Sequence, residues 1–347
     1  MQALTGRAGV RDLSPGYFAL VMATGILSTA VDQDGAAMLS ASLLVLTIVC
    51  YLVLLAATGW RLASYRAEFL ADATDPALAF TMFTFVAGSD VLGARLAAAG
   101  YSAVAEILLV LAGLAWLLLG YGIPLALITG RGAASALAGA DGTWFLCVVG
   151  TQSIVVVLAA LAPLPGALAA LAVSLWAAGV VLYLIVATLV LARLLHFPVP
   201  PAGLTPAYWV AMGATAISVL AGAKLLGLTA SPLLATVHPV LAGLSVILWA
   251  FGTWLIPLLA GLGVWRHLVR RVPLRYEPGL WSLAFPLGMY CVASAALGRA
   301  LRVRWLMSVG HAGTWAALAV WLVLFAAMLV SLAGVRLPSR SYSSTPT

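Results

Sequence analysis

Charged residues are scarce in this chain of 347 residues. Asp, Glu, Lys and Arg together make up 8% of the sequence, whereas soluble domains contain roughly 25%. Hydrophobic residues make up 64%, and the mean hydropathy is +1.13. A water-soluble domain is excluded, because so few charges cannot cover its surface.

Cysteine is nearly as rare. Cys50, Cys147 and Cys291 each lie inside a hydrophobic run, and no two of them are close in the sequence. This pattern excludes a disulfide framework and a CxxC zinc site. No cofactor is predicted.

Acidic residues are few as well, and none occurs between Asp141 and Glu277. A proton- or cation-coupled pump usually has acidic residues in the middle of its spans. Only Asp90 and Glu106 come near such a position, and both lie toward the outer end of a span, where Arg95 is a candidate partner. These three residues are predicted to form a structural ion pair or to take part in permeation.

Long hydrophobic runs, in contrast, fill the chain. A helix needs about 20 apolar residues to cross roughly 30 Å of hydrocarbon. We predict an all-α integral membrane protein with one domain over residues 1–335 and a disordered cytoplasmic tail at 336–347. The ten predicted spans are 15–32, 36–59, 76–97, 103–129, 142–162, 166–192, 204–226, 238–263, 278–298 and 305–334.

Basic residues indicate the orientation. With a cytoplasmic N-terminus, most of the 17 Lys and Arg residues lie on the cytoplasmic side. Both termini are therefore predicted in the cytoplasm and the protein in the cell membrane, and a nucleic-acid partner is not implied by the net charge of +7. The residues assigned to the cytoplasmic side are Arg7, Arg11, Arg61, Arg66, Arg131, Arg193, Arg266, Arg270, Arg271, Arg275, Arg336 and Arg340.

The odd-numbered spans share an opening in which a helix breaker precedes an aromatic residue. It recurs at positions 15, 76, 142, 206 and 278, one helical hairpin apart. Proline suits the first turn of a helix, and aromatic residues suit the membrane interface. The pattern predicts five repeated hairpins that point the same way.

The odd spans also carry most of the polar residues inside the bilayer. Because polar side chains avoid lipid, we predict an inner ring of odd helices around a pore and an outer ring of even helices. Five helix N-termini at one mouth and few carboxylates favour a small anion as the solute. The predicted pore-lining residues are Thr24, Gly25, Ser28, Thr84, Gly88, Thr151, Gln152, Thr215, Ser218 and Gly288.

Span 9 contains Phe285 followed by Pro286. The proline removes a backbone donor from the helix and disfavours helical geometry at Phe285, so a bend is expected there. A ring at such a bend can plug a pore. It can also simply pack between helices, and both interpretations follow from the residues alone.

Two segments resemble the tellurite-resistance/dicarboxylate transporter (TDT) family. The segment PGYFALVMATGILS at Pro15–Ser28 is similar to the opening helix of the family, and LWSLAFPLG at Leu280–Gly288 is similar to its aromatic and Phe-Pro segment. Leu280 departs from the pattern, in which a second Trp is common. The family includes bacterial TehA, fungal malate and sulfite carriers and the slow anion channels of plants.

The resemblance implies ten helices as five hairpins, usually three protomers each with its own pore, and a phenylalanine gate that falls on Phe285. It favours a C4-dicarboxylate or an oxyanion such as sulfite or tellurite. A halide- or nitrate-conducting channel is one alternative. A polytopic membrane enzyme is a more remote one, because His196, His238, His267 and His311 are scattered and lack carboxylate partners nearby.

Overall fold

The computed structural model describes residues 7–130, 133–228 and 232–334. Within these ranges the chain consists of α-helices joined by short turns, without a β-strand. Arg131 and the tail at 336–347, for which the sequence predicts a cytoplasmic position and disorder, lie outside the described residues.

Thirteen α-helices are described, and ten of them contain at least 15 residues. Each of these ten overlaps one predicted span, with ends that differ by up to seven residues. The helices are α1 (Arg7–Arg11), α2 (Phe18–Gln33), α3 (Ala37–Ser64), α4 (Arg66–Thr74), α5 (Phe83–Ala98), α6 (Ser102–Thr129), α7 (Ala133–Ala138), α8 (Leu146–Ala160), α9 (Gly166–His196), α10 (Val210–Leu226), α11 (Pro232–Val264), α12 (Trp281–Leu301) and α13 (Arg304–Leu332).

Eight helical segments of the described chain are long and apolar enough to cross a membrane. A ninth is obtained if Arg66–Thr74 and Ala79–Ala98, which are bent by 113° at their junction, form one broken span. Helices α2 and α5 contain only 16 residues each, fewer than the roughly 20 that a straight span needs. The chain is thus a multi-pass membrane protein.

Two classes of helix alternate along the chain. The short helices, α2, α5, α8, α10 and α12, are buried along most of their length, and the buried share reaches 83% in Gly142–Ala160. The long helices, α3, α6, α9, α11 and α13, expose most of their residues, and the buried share falls to 17% in Ser102–Thr129. Because the exposed side chains of the long helices are largely apolar, these surfaces suit contact with lipid.

The short helices contact one another in a closed order. Helix α2 packs on α5, α5 on α8, α8 on α10, α10 on α12, and α12 again on α2. Each long helix packs against the short helix that precedes it and also touches the next one. The short helices all begin at one end of the bundle, the N-terminal face, and end at the opposite end, the C-terminal face.

Each short helix begins with a 3-10 turn, and the turns coincide with the openings found in the sequence. Pro206 and Pro278 occupy the first turn, where a missing N–H is tolerated. The turns also contact one another in a closed order. They are Pro15–Tyr17, Ala79–Met82, Gly142–Phe145, Pro206–Trp209 and Pro278–Leu280.

A polar cap and one close contact between backbones stabilise this layer of 3-10 turns. Asp141 accepts a hydrogen bond from the backbone N–H of Thr143 at 2.8 Å. Burial raises the pKa of the Asp141 carboxyl, and the bonds from Thr143 partly offset this effect. A Cβ atom at Gly142 would lie 2.2 Å from the carbonyl oxygen of Ala207, so only glycine permits this contact between two turns.

Candidate permeation site

A cavity of about 570 Å³ opens at the C-terminal face, and all five short helices contribute to its wall. Its apolar wall comes from residues such as Ile26, Val91, Val156, Ile217 and Met289. The polar and charged lining residues are Thr29, Asp32, Gln33, Arg95, Ser153, Lys224 and Arg299.

The cavity carries an excess of positive charge. Arg95, Lys224 and Arg299 face a single carboxylate, that of Asp32. Arg299 donates a hydrogen bond to the uncharged Gln33 amide at 3.0 Å. Within the described part of the chain, no hydrogen bond or ion pair involves the side chain of Lys224. Because two cations have no carboxylate partner, the cavity attracts anions.

Arg95 anchors one side of the cavity and is itself only 7% exposed. Its Nη2 donates to Asp32 Oδ1 at 3.0 Å and to Ser40 Oγ at 2.7 Å, and its Nε donates to Ser28 Oγ at 3.1 Å. Its ionic partner is therefore Asp32 rather than Asp90 or Glu106. The last turn of α2 brings Asp32 beside the end of α5, a proximity that spacing along α5 alone does not predict.

The Arg95 network is expected to stabilise the contact among α2, α3 and α5. Arg95→Met retains the apolar stem but leaves Asp32 and the two serines without their charged donor. We expect the variant to lose about 2 kcal/mol of stability, a typical value for hydrogen bonds to charged groups. Thermal unfolding in detergent provides the measurement. Arg304→Met, at an exposed position on the same face, is the control, and an equal loss in both variants would refute the structural role of Arg95.

Asp90 lies in the wall beside the cavity and is fully buried. Its Oδ2 accepts a hydrogen bond from Ser153 Oγ at 2.7 Å, and its Oδ1 has no partner among the described residues. Ser153 also lines the cavity, so a single hydroxyl separates Asp90 from the open space. Glu106, in contrast, is exposed on the long helix α6 and does not line the cavity.

Phe285 lies below the floor of this cavity. The cavity is lined by five residues of α12. Met289, Val292, Ala296 and Arg299 follow one another at three or four residues and define one helix face, and Ala300 lies beside Arg299. Phe285 precedes Met289 by four residues and therefore lies on the same face, about 6 Å closer to the N-terminal face. Its side chain is 1% exposed, so protein atoms enclose it on every side.

Three other short helices also have an apolar residue one helical turn below the cavity lining, at the level of Phe285. Met22, Ala87 and Val149 each lie four residues before a lining residue of their own helix. None of the three is more than 1% exposed. Together with Phe285 they form an apolar layer beneath the cavity.

Pro286 lies within α12, which is helical on both sides of it. In α10, the position at the level of the apolar layer is Gly213, and a Cβ atom there would lie 2.9 Å from Cγ of Pro286. The absence of a side chain at Gly213 thus allows α10 to approach the proline. The position of Phe285 is consequently tied to the packing of Pro286 on α10.

One type of hydrogen bond joins each of the five long helices to the next short helix around the bundle. In each case an aromatic side chain of the long helix supplies a polar group. The pairs are Tyr51 Oη with Ser89 Oγ (2.9 Å), Trp116 Nε1 with Thr151 Oγ1 (2.8 Å), Trp176 Nε1 with the Ser218 carbonyl (2.9 Å), Trp249 Nε1 with Ser294 Oγ (2.9 Å) and Trp321 Nε1 with Thr24 Oγ1 (3.0 Å).

These bonds explain where the polar residues predicted to line the pore are found. Thr24 and Thr151 accept from tryptophans of long helices, and the carbonyl of Ser218 does the same. Gln152 Nε2 donates to the carbonyl of Trp176 at 3.1 Å, and its Oε1 has no partner in the described chain. The hydroxyl of Ser28 donates to the carbonyl of Ser40 at 2.8 Å. All these residues lie at helix contacts rather than at the cavity.

The remaining predicted lining residues also lie at contacts between helices. Thr84 donates to the carbonyl of Pro15 at 2.9 Å, and Thr215 bonds back to the carbonyl of Met212 at 2.7 Å. Gly25, Gly88 and Gly288 allow close packing against Val91, Phe18 and Ile26, respectively. None of the ten predicted lining residues contributes to the cavity wall.

Sequence reasoning missed Thr29, Gln33, Ser153, Lys224 and Arg299 as lining residues. A usable signal was present, because Arg299 lies on the helical stripe that runs from Phe285 through Met289. Following that stripe from the suspected gate would have led to Arg299. The distribution of hydroxyls, which the prediction used, reports contacts with the long helices instead.

A family model described as a voltage-dependent anion channel, SLAC1, matches residues 12–329. The chain belongs to the SLAC1 family. The family assignment made from Pro15–Ser28 and Leu280–Gly288 is thereby confirmed. Members of the SLAC1 family are anion transporters and channels, so this chain is a multi-pass membrane transport protein and not an enzyme.

Relatives of this SLAC1-family chain occur in bacteria and archaea. An uncharacterized membrane protein of Mycobacterium tuberculosis is 53% identical over 152 residues, which is 44% of this chain and 77% of the relative. An uncharacterized transporter of Methanocaldococcus jannaschii is 24% identical over 334 residues, which is 90% of this chain and 92% of the relative. A second uncharacterized transporter of that organism is 27% identical over 151 residues, or 43% of this chain and 42% of the relative.

Proposed function

We propose that all ten long and short helices cross the membrane, with the short helices as an inner ring around an anion pore. The observation that carries this proposal is the cationic cavity enclosed by the closed order of short helices, with an apolar layer directly beneath it. The exposed apolar surfaces of the long helices support their place as an outer ring in lipid.

Phe285 closes this pore as a gate, together with Met22, Ala87 and Val149. An apolar constriction excludes hydrated ions because they lose water contacts there without gaining polar ones. Pro286 holds the ring through its contact with Gly213, so a small shift of α12 against α10 moves Phe285. In this arrangement the pore is closed between the cavity and the N-terminal face.

The solute is a small anion, either a C4-dicarboxylate such as malate or an oxyanion such as sulfite or tellurite. The two unbalanced cations Lys224 and Arg299 support an anion, and the family resemblance supports the choice among anions. A halide- or nitrate-conducting channel is the alternative within the same class.

The protein lies in the cell membrane with both termini and the N-terminal face in the cytoplasm, as the positive-inside rule indicates. It assembles as a homotrimer with one pore in each protomer. The wide apolar surface of the long helices provides the area for contacts between protomers, and the family resemblance gives their number.

Radiotracer flux into proteoliposomes tests this function. Malate, succinate, sulfite, tellurite, chloride and nitrate are compared one at a time, and flux of at least one of them above protein-free liposomes is expected. Flux restricted to chloride and nitrate selects the channel alternative. Absence of flux for all six anions from folded protein contradicts the proposal.

Proton coupling is a second candidate mechanism, and Asp90 is the observation that favours it. The carboxyl is buried without a cationic partner and bonds to Ser153, which lines the cavity. If Asp90 carries the proton, an imposed pH gradient drives uptake in the parent protein but not in Asp90→Asn. Uptake that is insensitive to the gradient in both proteins rules out proton coupling.

A further inference from the structure

A second cavity, of about 240 Å³, lies at the N-terminal face, away from the pore. It is bounded by the start of α10, the end of α11 and the start of α12. Most of its wall is apolar and includes Trp209, Leu259, Leu262, Leu280 and Leu283. Arg266 and His267 lie at one end, and they also line an adjoining cavity of about 350 Å³ together with Arg275 and Glu277.

Arg266 connects the two cavities and is only 9% exposed. It lies in a π-helical turn, Trp265–Val269, that follows α11, and such distortions are frequent at functional sites. Its Nε has no hydrogen-bond partner among the described residues, and no ion pair of Arg266 is found there. A buried guanidinium without an anion is costly, so this site lacks a negatively charged partner.

Tyr208 provides a second polar atom without a partner. It lines the apolar cavity, is 7% exposed, and its hydroxyl bonds to no described residue. His267, in contrast, already has a hydrogen-bond partner, because its Nδ1 lies 2.8 Å from the carbonyl oxygen of Val272. The charged groups available to a ligand are therefore Arg266 and the exposed Arg275.

We propose that this site binds an anionic phospholipid. The phosphate pairs with Arg266, the rest of the headgroup extends into the outer cavity beside Arg275, and an acyl chain enters the apolar cavity. Guanidinium groups bind phosphate through paired hydrogen bonds. The leucine-lined wall favours a lipid over a free phosphate ion, because inorganic phosphate leaves that apolar space unfilled.

The position of the site relates lipid binding to the pore. Leu280 and Leu283 line the lipid cavity, and Phe285 follows two residues later in α12. An acyl chain between α10, α11 and the start of α12 braces the segment that carries the ring. The lipid thus acts as a structural ligand of the region next to the proposed gate.

Lipid binding to the full chain in detergent tests this inference by native mass spectrometry. Phosphatidylglycerol is compared with phosphatidylcholine for the parent protein and for Arg266→Gln. We expect the parent to prefer phosphatidylglycerol and Arg266→Gln to bind it about tenfold more weakly, as loss of a charged hydrogen-bonding partner predicts. The matched control is Arg271→Gln, which removes the same charge from a neighbouring position outside both cavities.

A second variant provides an independent test in case Arg266→Gln does not fold. Leu283→Trp fills the apolar cavity while retaining Arg266, and it too is expected to lower phosphatidylglycerol binding. Equal binding by the parent, Arg266→Gln and Leu283→Trp overturns the proposal. Competition by millimolar inorganic phosphate, with no preference between the two lipids, also overturns it and assigns the site to a soluble phosphate.

Discussion

Replacing Phe285 with alanine is expected to raise anion flux through reconstituted protein at least about tenfold, equivalent to lowering the barrier by about 1.4 kcal/mol. The ring is 1% exposed and lies one helical turn below the cationic cavity, within an apolar layer. Its removal leaves space that water can enter, and a hydrated constriction conducts ions. Tracer flux in proteoliposomes, normalised to the amount of inserted protein, measures the effect.

The matched control for this prediction is Phe251→Ala. Phe251 is 41% exposed on the long helix α11 and contacts the rings of Tyr183 and Trp254. Its replacement removes the same number of atoms from a position facing away from the short helices, so flux should stay at the parent level. Unchanged flux in Phe285→Ala, or an equal rise in both variants, would remove Phe285 from the gate.

Reversing two charges at the cavity is expected to have the opposite effect. The double variant Lys224→Glu with Arg299→Glu changes the sign of the charge lining the cavity while retaining long polar side chains. We expect anion flux to fall by about 10- to 1,000-fold, the range over which charged clefts raise local ion concentrations. The loss should shrink at high ionic strength, because salt screens charges that contact water.

Arg302→Glu with Arg304→Glu is the control for the charge reversal. These residues lie at the same face of the bundle but do not line the cavity. The two double variants add the same negative charge to the protein, so a general surface effect would lower flux equally in both. If only the control variant lost flux, anions would enter by a route other than this cavity.

The positions of the helices could be predicted from the sequence with good accuracy. Hydrophobic runs gave the ten long segments, and breaker-aromatic openings at 15, 142, 206 and 278 marked the starts of 3-10 turns to the residue. Both signals are local, because helix length reflects bilayer thickness and proline acts on its own turn. The remaining turn begins at Ala79, three residues after Pro76.

The direction of polar side chains could not be predicted in the same way. A short helix contacts protein on nearly all sides, so a hydroxyl can face a neighbouring helix as well as the axis. The deciding factor is the tryptophan on the long helix that precedes it around the bundle, whose N–H needs an acceptor away from water. Thr24 and Thr151 illustrate this, since each accepts from a tryptophan distant in the sequence.

The spacing of charged residues along the sequence did not predict the ionic partners either. Arg95 was expected beside Asp90 or Glu106, which are its neighbours along the chain. In the structure, Asp32 reaches it from the last turn of α2, and Asp90 bonds to Ser153 of α8. Contacts of this kind depend on which helices are adjacent in space. The sequence pattern predicted only that the odd helices form a ring.

Side-specific thiol labelling tests the central claim, a pore along the short helices closed at Phe285, most directly. In a chain whose three cysteines are replaced by alanine, a membrane-impermeant thiol reagent is added from the C-terminal face. Ala296→Cys, in the cavity wall, should react whether residue 285 is Phe or Ala. Met22→Cys, in the apolar layer, should react only together with Phe285→Ala. A Met22→Cys that reacts equally fast in both backgrounds, or in neither, would contradict a closure at Phe285.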